Sequence, residues 1–101
     1  MSPIYTFTAK IWLYKGDGAW HFITLPKQQA DEIKYITRTL PRVGFGSVRV
    51  SVQSSTATWR TSIFPDKKSD SYLLPIKKDI LKQLNIGVDD DIQISLQLVD
   101  I

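Results

Sequence analysis

Between Asp91 and Val99 the chain alternates with a period of two: Ile92, Ile94, Leu96 and Leu98 fall on one side, and Gln93, Ser95 and Gln97 on the other. That period sets one face against a core and the other in water, as a half-buried β-strand requires. The same pattern runs from Ile4 to Tyr14. There Tyr5, Phe7, Ala9, Ile11 and Leu13 share one face, and Ile4, Thr6, Thr8, Lys10, Trp12 and Tyr14 the other. It returns at Ser47–Gln53, through Val48, Val50 and Val52, and at Ala57–Phe64, where Trp59, Thr61 and Ile63 oppose Thr58, Arg60, Ser62 and Phe64. A chain patterned in this way folds around a sheet.

The connections define the remaining elements. Lys15-Gly16-Asp17-Gly18 reads as a tight turn, because Gly and Asp-Gly supply positive φ, so Ala19–Leu25 returns as the second arm of a hairpin. Ala30, Ile33, Ile36 and Leu40, three or four residues apart, predict an amphipathic helix over Lys27–Leu40, closed by Pro41. Gly44-Phe45-Gly46 is a flexible link. With Ser55 and Thr56 as turn residues, Val52 faces Trp59, Val50 faces Thr61 and Val48 faces Ile63, which leaves Arg49 and Arg60 together on the opposite face. A loop one residue longer would flip one strand. A polar loop over Pro65–Asp70 leads to a short strand at Ser71–Leu74. A helix over Lys77–Leu84 follows, with Asn85 as a left-handed cap. The order β-β-α-β-β-β-α-β is mainly β with two short helices. It fits a small closed six-stranded barrel spanning residues 1–101 as one domain, since closure removes exposed sheet edges. Phe22–Ile33 and Tyr72–Leu84 form a loose repeat of strand, Leu-Pro and helix.

Composition excludes several classes. With 43% apolar and 23% charged residues the chain is of ordinary globular type, not disordered. It has no cysteine, and so no disulfide scaffold, thiolate metal site or cysteine nucleophile. No apolar run approaches the ~18 residues of a membrane span, and Met1–Phe7 lacks the features of a secretory signal, so the expected compartment is the cytoplasm. The net charge of +3 is a weak attraction to phosphate. Its placement says more: Arg38, Arg42, Arg49 and Arg60 lie mid-chain, Lys67-Lys68, Lys77-Lys78 and Lys82 follow, and Asp89-Asp90-Asp91 is the acidic run.

Few residues carry reactive chemistry. His21 is the sole histidine, and its alternation with Trp20 and Phe22 reads as an outward-facing strand position. The Asp89–Asp91 run lacks the alternating ligands, turn glycine and distal Glu of a calcium loop, so it reads as a turn with one aspartate in left-handed geometry. Gly44-Phe45-Gly46 precedes a strand rather than a helix and is no phosphate loop. No catalytic residue, metal site or cofactor is assigned. Among the tryptophans, Trp59 reads as core, while Trp12, with Tyr14 and Trp20, could form an aromatic platform. The candidate ligand-binding residues are Arg49 and Arg60, then Trp12, Lys77 and Lys78.

Several segments together carry a resemblance: Trp20-His21-Phe22-Ile23-Thr24-Leu25-Pro26, Gly44–Val48, Trp59-Arg60-Thr61-Ser62-Ile63-Phe64-Pro65, Ser71–Lys77, and Asp90-Asp91-Ile92-Gln93-Ile94. Through them the chain resembles the bacterial and archaeal DUF1905 family, a domain of unknown function, over about Tyr5 to Leu98. The resemblance implies a six-stranded Greek-key barrel and no assigned activity. The chain departs from the family pattern at Asp89, where a glycine is usual, at Leu81, where an arginine is usual, and at Ser54-Ser55, where a glycine-rich turn is usual. The second half also resembles AbrB-like DNA-binding modules, in which a strand ends in a proline, a short basic helix follows and a Gly-Asp turn opens the next strand; here the helix is about two residues longer. Such modules dimerise to complete a barrel. The readings are therefore a non-enzymatic binding or adaptor module of unknown ligand, a nucleic-acid-binding module, or an enzyme using His21 or the Asp run. The partner would be nucleic acid or protein rather than a membrane, and the chain a monomer or homodimer.

Overall fold

The computed structural model describes residues 3–16, 18–38 and 46–99. Among them are seven strands and two helices: β1 Ile4–Lys10, β2 Trp12–Gly16, β3 Gly18–Thr24, α1 Lys27–Thr37, β4 Val48–Ser54, β5 Ala57–Asp66, β6 Ser71–Ile76, α2 Lys78–Leu84 and β7 Asp91–Leu98. The expected tip residue Asp17, the helix end at Leu40-Pro41, Arg42, and Gly44-Phe45 of the link lie outside the described residues.

The strands form one antiparallel sheet in the order β1-β7-β4-β5-β6-β3-β2. This corrects the expected closed six-stranded Greek-key barrel and its element order: the sheet is a curled half-barrel of seven strands. The difference begins at Ile11. The stretch Ile4–Tyr14 was expected as one strand, but it is two, because the turn before β7 takes up the Ile11 backbone. Ile11 N–H donates to Asp90 O at 3.0 Å, and Asp89 N–H donates to Ile11 O at 2.8 Å. Before Ile11 the chain pairs with β7, and after it with β3. The two end strands of the sheet are thus successive pieces of chain. β1 and β3 come into contact, but among the described residues no ladder joins the ends. Period-two alternation continues through Ile11, so the break leaves no mark in the pattern.

The expected register of β4 and β5 is found. Val48 lies opposite Ile63, Val50 opposite Thr61 and Val52 opposite Trp59, with Ser55 and Thr56 as the connection. Ser55 takes φ 51° and Asp89 φ 71°, both in the left-handed region. β4 lies between β5 and β7, and its Val50 and Val52 are fully buried with Ile94 and Leu96 of β7. Each such side chain contributes about 1.5–3 kcal/mol on burial, so this pair of strands anchors the core.

Two helices complete the core. α1 turns Ala30, Ile33 and Thr37 inward, and Thr37 Oγ1 donates to Ile33 O at 2.8 Å. α2 buries Ile80 and Leu81 and ends in the left-handed Asn85. There Asn85 N–H donates to Lys82 O and Ile86 N–H to Leu81 O, both at 3.1 Å. This paired closure satisfies carbonyls that a helix end otherwise leaves free. The repeated Leu-Pro pairs fall in different places: Leu25-Pro26 ends the approach to α1, whereas Leu74-Pro75 lies inside β6. Outside, Lys27 joins Asp31 at 2.7 Å and Asp70 at 2.8 Å, which ties α1 to the loop before β6.

Two stability measurements test this account. Ser55→Gly relieves left-handed strain and should stabilise the protein by about 0.5–1 kcal/mol in denaturant unfolding, while Ser55→Ala should bring no gain. The Lys27 hydrogen bond, then the charges of Lys27 and Lys34, hold the Asp70 carboxyl below its ordinary value. In acid the unfolded carboxylate therefore takes up its proton before the folded one. The pair's contribution is present at neutral pH and fades as pH falls through the lower carboxylate range. Asp70→Asn, which keeps a side chain tolerant of the local φ of 53°, should flatten the acid limb of stability against pH, most visibly at low salt.

Candidate ligand-binding site

The hairpin β2–β3 carries an aromatic face. Trp12 lies opposite Phe22 and Tyr14 opposite Trp20, so pairing brings four rings to one side. Phe22 is central: its centroid lies 5.3 Å from Trp12, 6.4 Å from Tyr14 and 6.3 Å from Trp20, and the Trp20 ring stacks on it at 11°. Trp20 is 54% and Tyr14 50% exposed. Trp12 is the half-buried edge of this face, and its Nε1–H donates to Thr24 Oγ1 at 3.0 Å. Gly16 gives the Tyr14 ring its room, since a Cβ at that position would overlap the ring.

A cleft opens beside this face. The β5–β6 ladder runs only from Asp66 opposite Ser71 to Phe64 opposite Leu73, while the β3–β6 ladder continues to His21 opposite Ile76. Pro75 has no N–H to offer a ladder, and β5 parts from β6 before reaching it. The opening, about 330 Å³, has Trp20, Phe64 and Pro75 as apolar walls, with Trp59 beside them, and Lys77 and Lys78 at its rim. Lys77 is the residue that caps α2 and Lys78 the first within it. Both are exposed, and neither has an ion-pair partner among the described residues. Trp59 is half-buried against the core, as well as lining the cleft, and its Nε1–H is buried without an acceptor.

His21 corrects the sequence reading. It lies on the same side of β3 as the fully buried Ile23, not on the outward side with Trp20 and Phe22. It is half-buried and lines both the cleft and a shallower groove along α2, with Lys78, Leu81 and Lys82. Leu81 thus adds an apolar side chain to the groove that His21 lines.

Arg49 and Arg60 do share one face, as the register predicted: Arg49 lies opposite Ser62, and Arg60 opposite Ser51. Both are exposed, and neither has an ion-pair partner among the described residues. They do not line the cleft. Alternation along β5 nevertheless puts Arg60 on the same side as Phe64, so the arginine face runs up to the cleft wall. The Asp run forms a turn: Asp90 Oδ2 accepts from Gly87 N–H at 2.9 Å, and Asp91 meets Lys10 at 3.6 Å. Among the described residues no cluster of three or more metal-ligating side chains occurs, and no helix is long and apolar enough to cross a membrane.

These features define a small, mainly β protein built on a curled antiparallel sheet with an aromatic face and a cation-rimmed cleft. The chain belongs to the DUF1905 family, a domain of unknown function, whose profile matches residues 7–96. No curated protein matches it.

Thr24→Val tests the anchoring of the face. It leaves the part-buried Trp12 N–H without an acceptor and should destabilise by about 1 kcal/mol in denaturant unfolding, although valine favours strands. In a Trp12→Phe background the same change should cost markedly less.

Proposed function

We propose that the protein is a binding or adaptor module that meets its ligand on the aromatic face of β2–β3. Trp12 is the fixed anchor, Trp20 and Tyr14 are the contact surface, and Lys77 and Lys78 set the charge at the rim. The observation that carries this reading is the Trp20 indole, 54% exposed and stacked on Phe22. Large aromatic groups clustered in water mark interaction surfaces in folded proteins. Their cation-bearing border favours an anionic ligand.

A second reading, nucleic acid, is favoured by Arg49 and Arg60. These two unpaired cations stand among Ser51, Gln53, Thr58 and Ser62 on a face that reaches Phe64. A polyanion laid along that face would meet cations first and then rings on which bases stack.

Anilinonaphthalene sulfonate, an aromatic anion, is the direct probe. Its fluorescence should rise saturably at a single site on the native protein, and Trp20→Ala should weaken that binding about tenfold. The absence of saturable binding, or full binding by the variant, would overturn the reading. For the second reading, Arg60→Ala should weaken single-stranded DNA or RNA binding and reduce its salt dependence.

A further inference from the structure

Resting on the binding reading above, we infer that the cleft between β5 and β6 takes a nucleoside phosphate, with its base against the aromatic walls and its phosphate at Lys77 and Lys78. Three features fix that chemistry. The walls are flat and apolar: Trp20 already lies parallel to Phe22 on one side, and Phe64, 44% exposed, stands on the other strand with Pro75 between. A planar ring is the shape such walls accept, and every nucleobase has a π-face to offer.

The rim fixes the sign of the charge. Among the described residues no carboxylate lines the cleft, whereas the successive lysines Lys77 and Lys78 do. Two cations from successive residues, without an ion-pair partner among the described residues, match a phosphate monoester, with its double charge and several acceptor oxygens, better than a single carboxylate. The opening of about 330 Å³ sits at the low end of sites for small organic ligands, which suits one nucleotide rather than a folded partner. A free nucleotide and an unpaired nucleotide within a single strand share this chemistry.

The three tryptophan indole N–H signals report the site in a proton–nitrogen correlation spectrum. Adenosine monophosphate should move the Trp20 and Trp59 signals saturably, and adenosine should bind at least about tenfold more weakly. The double variant Lys77→Ala with Lys78→Ala should bring the nucleotide down to the level of adenosine, with the amide signals of Val50 and Leu96 unmoved as a check on the fold. A single-stranded hexa-adenylate distinguishes the two sources. Tighter binding than the mononucleotide, falling steeply between about 50 and about 200 mM salt, identifies a strand. Equal affinity identifies the free nucleotide. Signals of Trp20 and Trp59 that stay still with both probes at millimolar concentration, or adenosine binding as well as its phosphate, would overturn the inference. The dye result on Trp20 is independent of this outcome, so the aromatic face could stand while its nucleotide occupant falls.

Discussion

The architecture depends on how the backbone of Ile11 is held. Its N–H and C=O are both taken by the turn at Asp89 and Asp90, and its side chain is fully buried. At that residue the chain leaves the β7 ladder for the β3 ladder. The hairpin bearing Trp12, Tyr14, Trp20 and Phe22 is thereby fixed at the far end of the sheet from β1. A chain that ran straight on beside β7 would carry Trp12 and Tyr14 away from Phe22. The left-handed Asp89 is part of the same arrangement, because its N–H reaches Ile11 from that turn.

Charges divide between two tasks. Lys10, Lys27 and Lys34 have carboxylate partners, with Lys27 and Lys34 both meeting Asp70 across the gap between α1 and the loop before β6. Lys77, Lys78, Arg49 and Arg60 have none among the described residues. The modest net charge of +3 therefore conceals an uneven surface, in which the cations around the cleft and on the adjoining face carry no carboxylate partner among the described residues.

What the sequence made legible was local. The register of β4 and β5 followed from three valines and a two-residue turn, and the closing cap of α2 followed from Asn85. Non-local facts were hidden. Alternation reports which face a residue occupies but not which strand lies beside it, so the change of partner at Ile11 could not be read. The cleft depends on where two ladders stop, and only Pro75 hinted at that. In β3 both faces are rich in apolar residues: Trp20 and Phe22 on one, Ile23 on the other. The larger rings pulled the reading inward and displaced His21 to the wrong side. Phe22 was not read as part of the aromatic face for the same reason, since nothing in composition separates an aromatic residue in the core from one on a face, whereas alternation did put Phe64 on the outward side of β5 with Arg60.

The position of β7 has a consequence for how the molecule is assembled. It is the last strand among the described residues, yet it lies between β1 and β4, pairing Ile4 with Gln97 and Val52 with Leu96. Until it is in place, β1 and β4 each show a bare row of amide and carbonyl groups beside an apolar face, the condition in which sheets pair with the wrong chain. Contacts this distant in sequence also carry a large loop-closure cost before they give any return. The hairpins β4–β5 and β2–β3 join strands that are neighbours in sequence, whereas β7 closes the long loop back to β1, so its pairing carries the greater entropic cost.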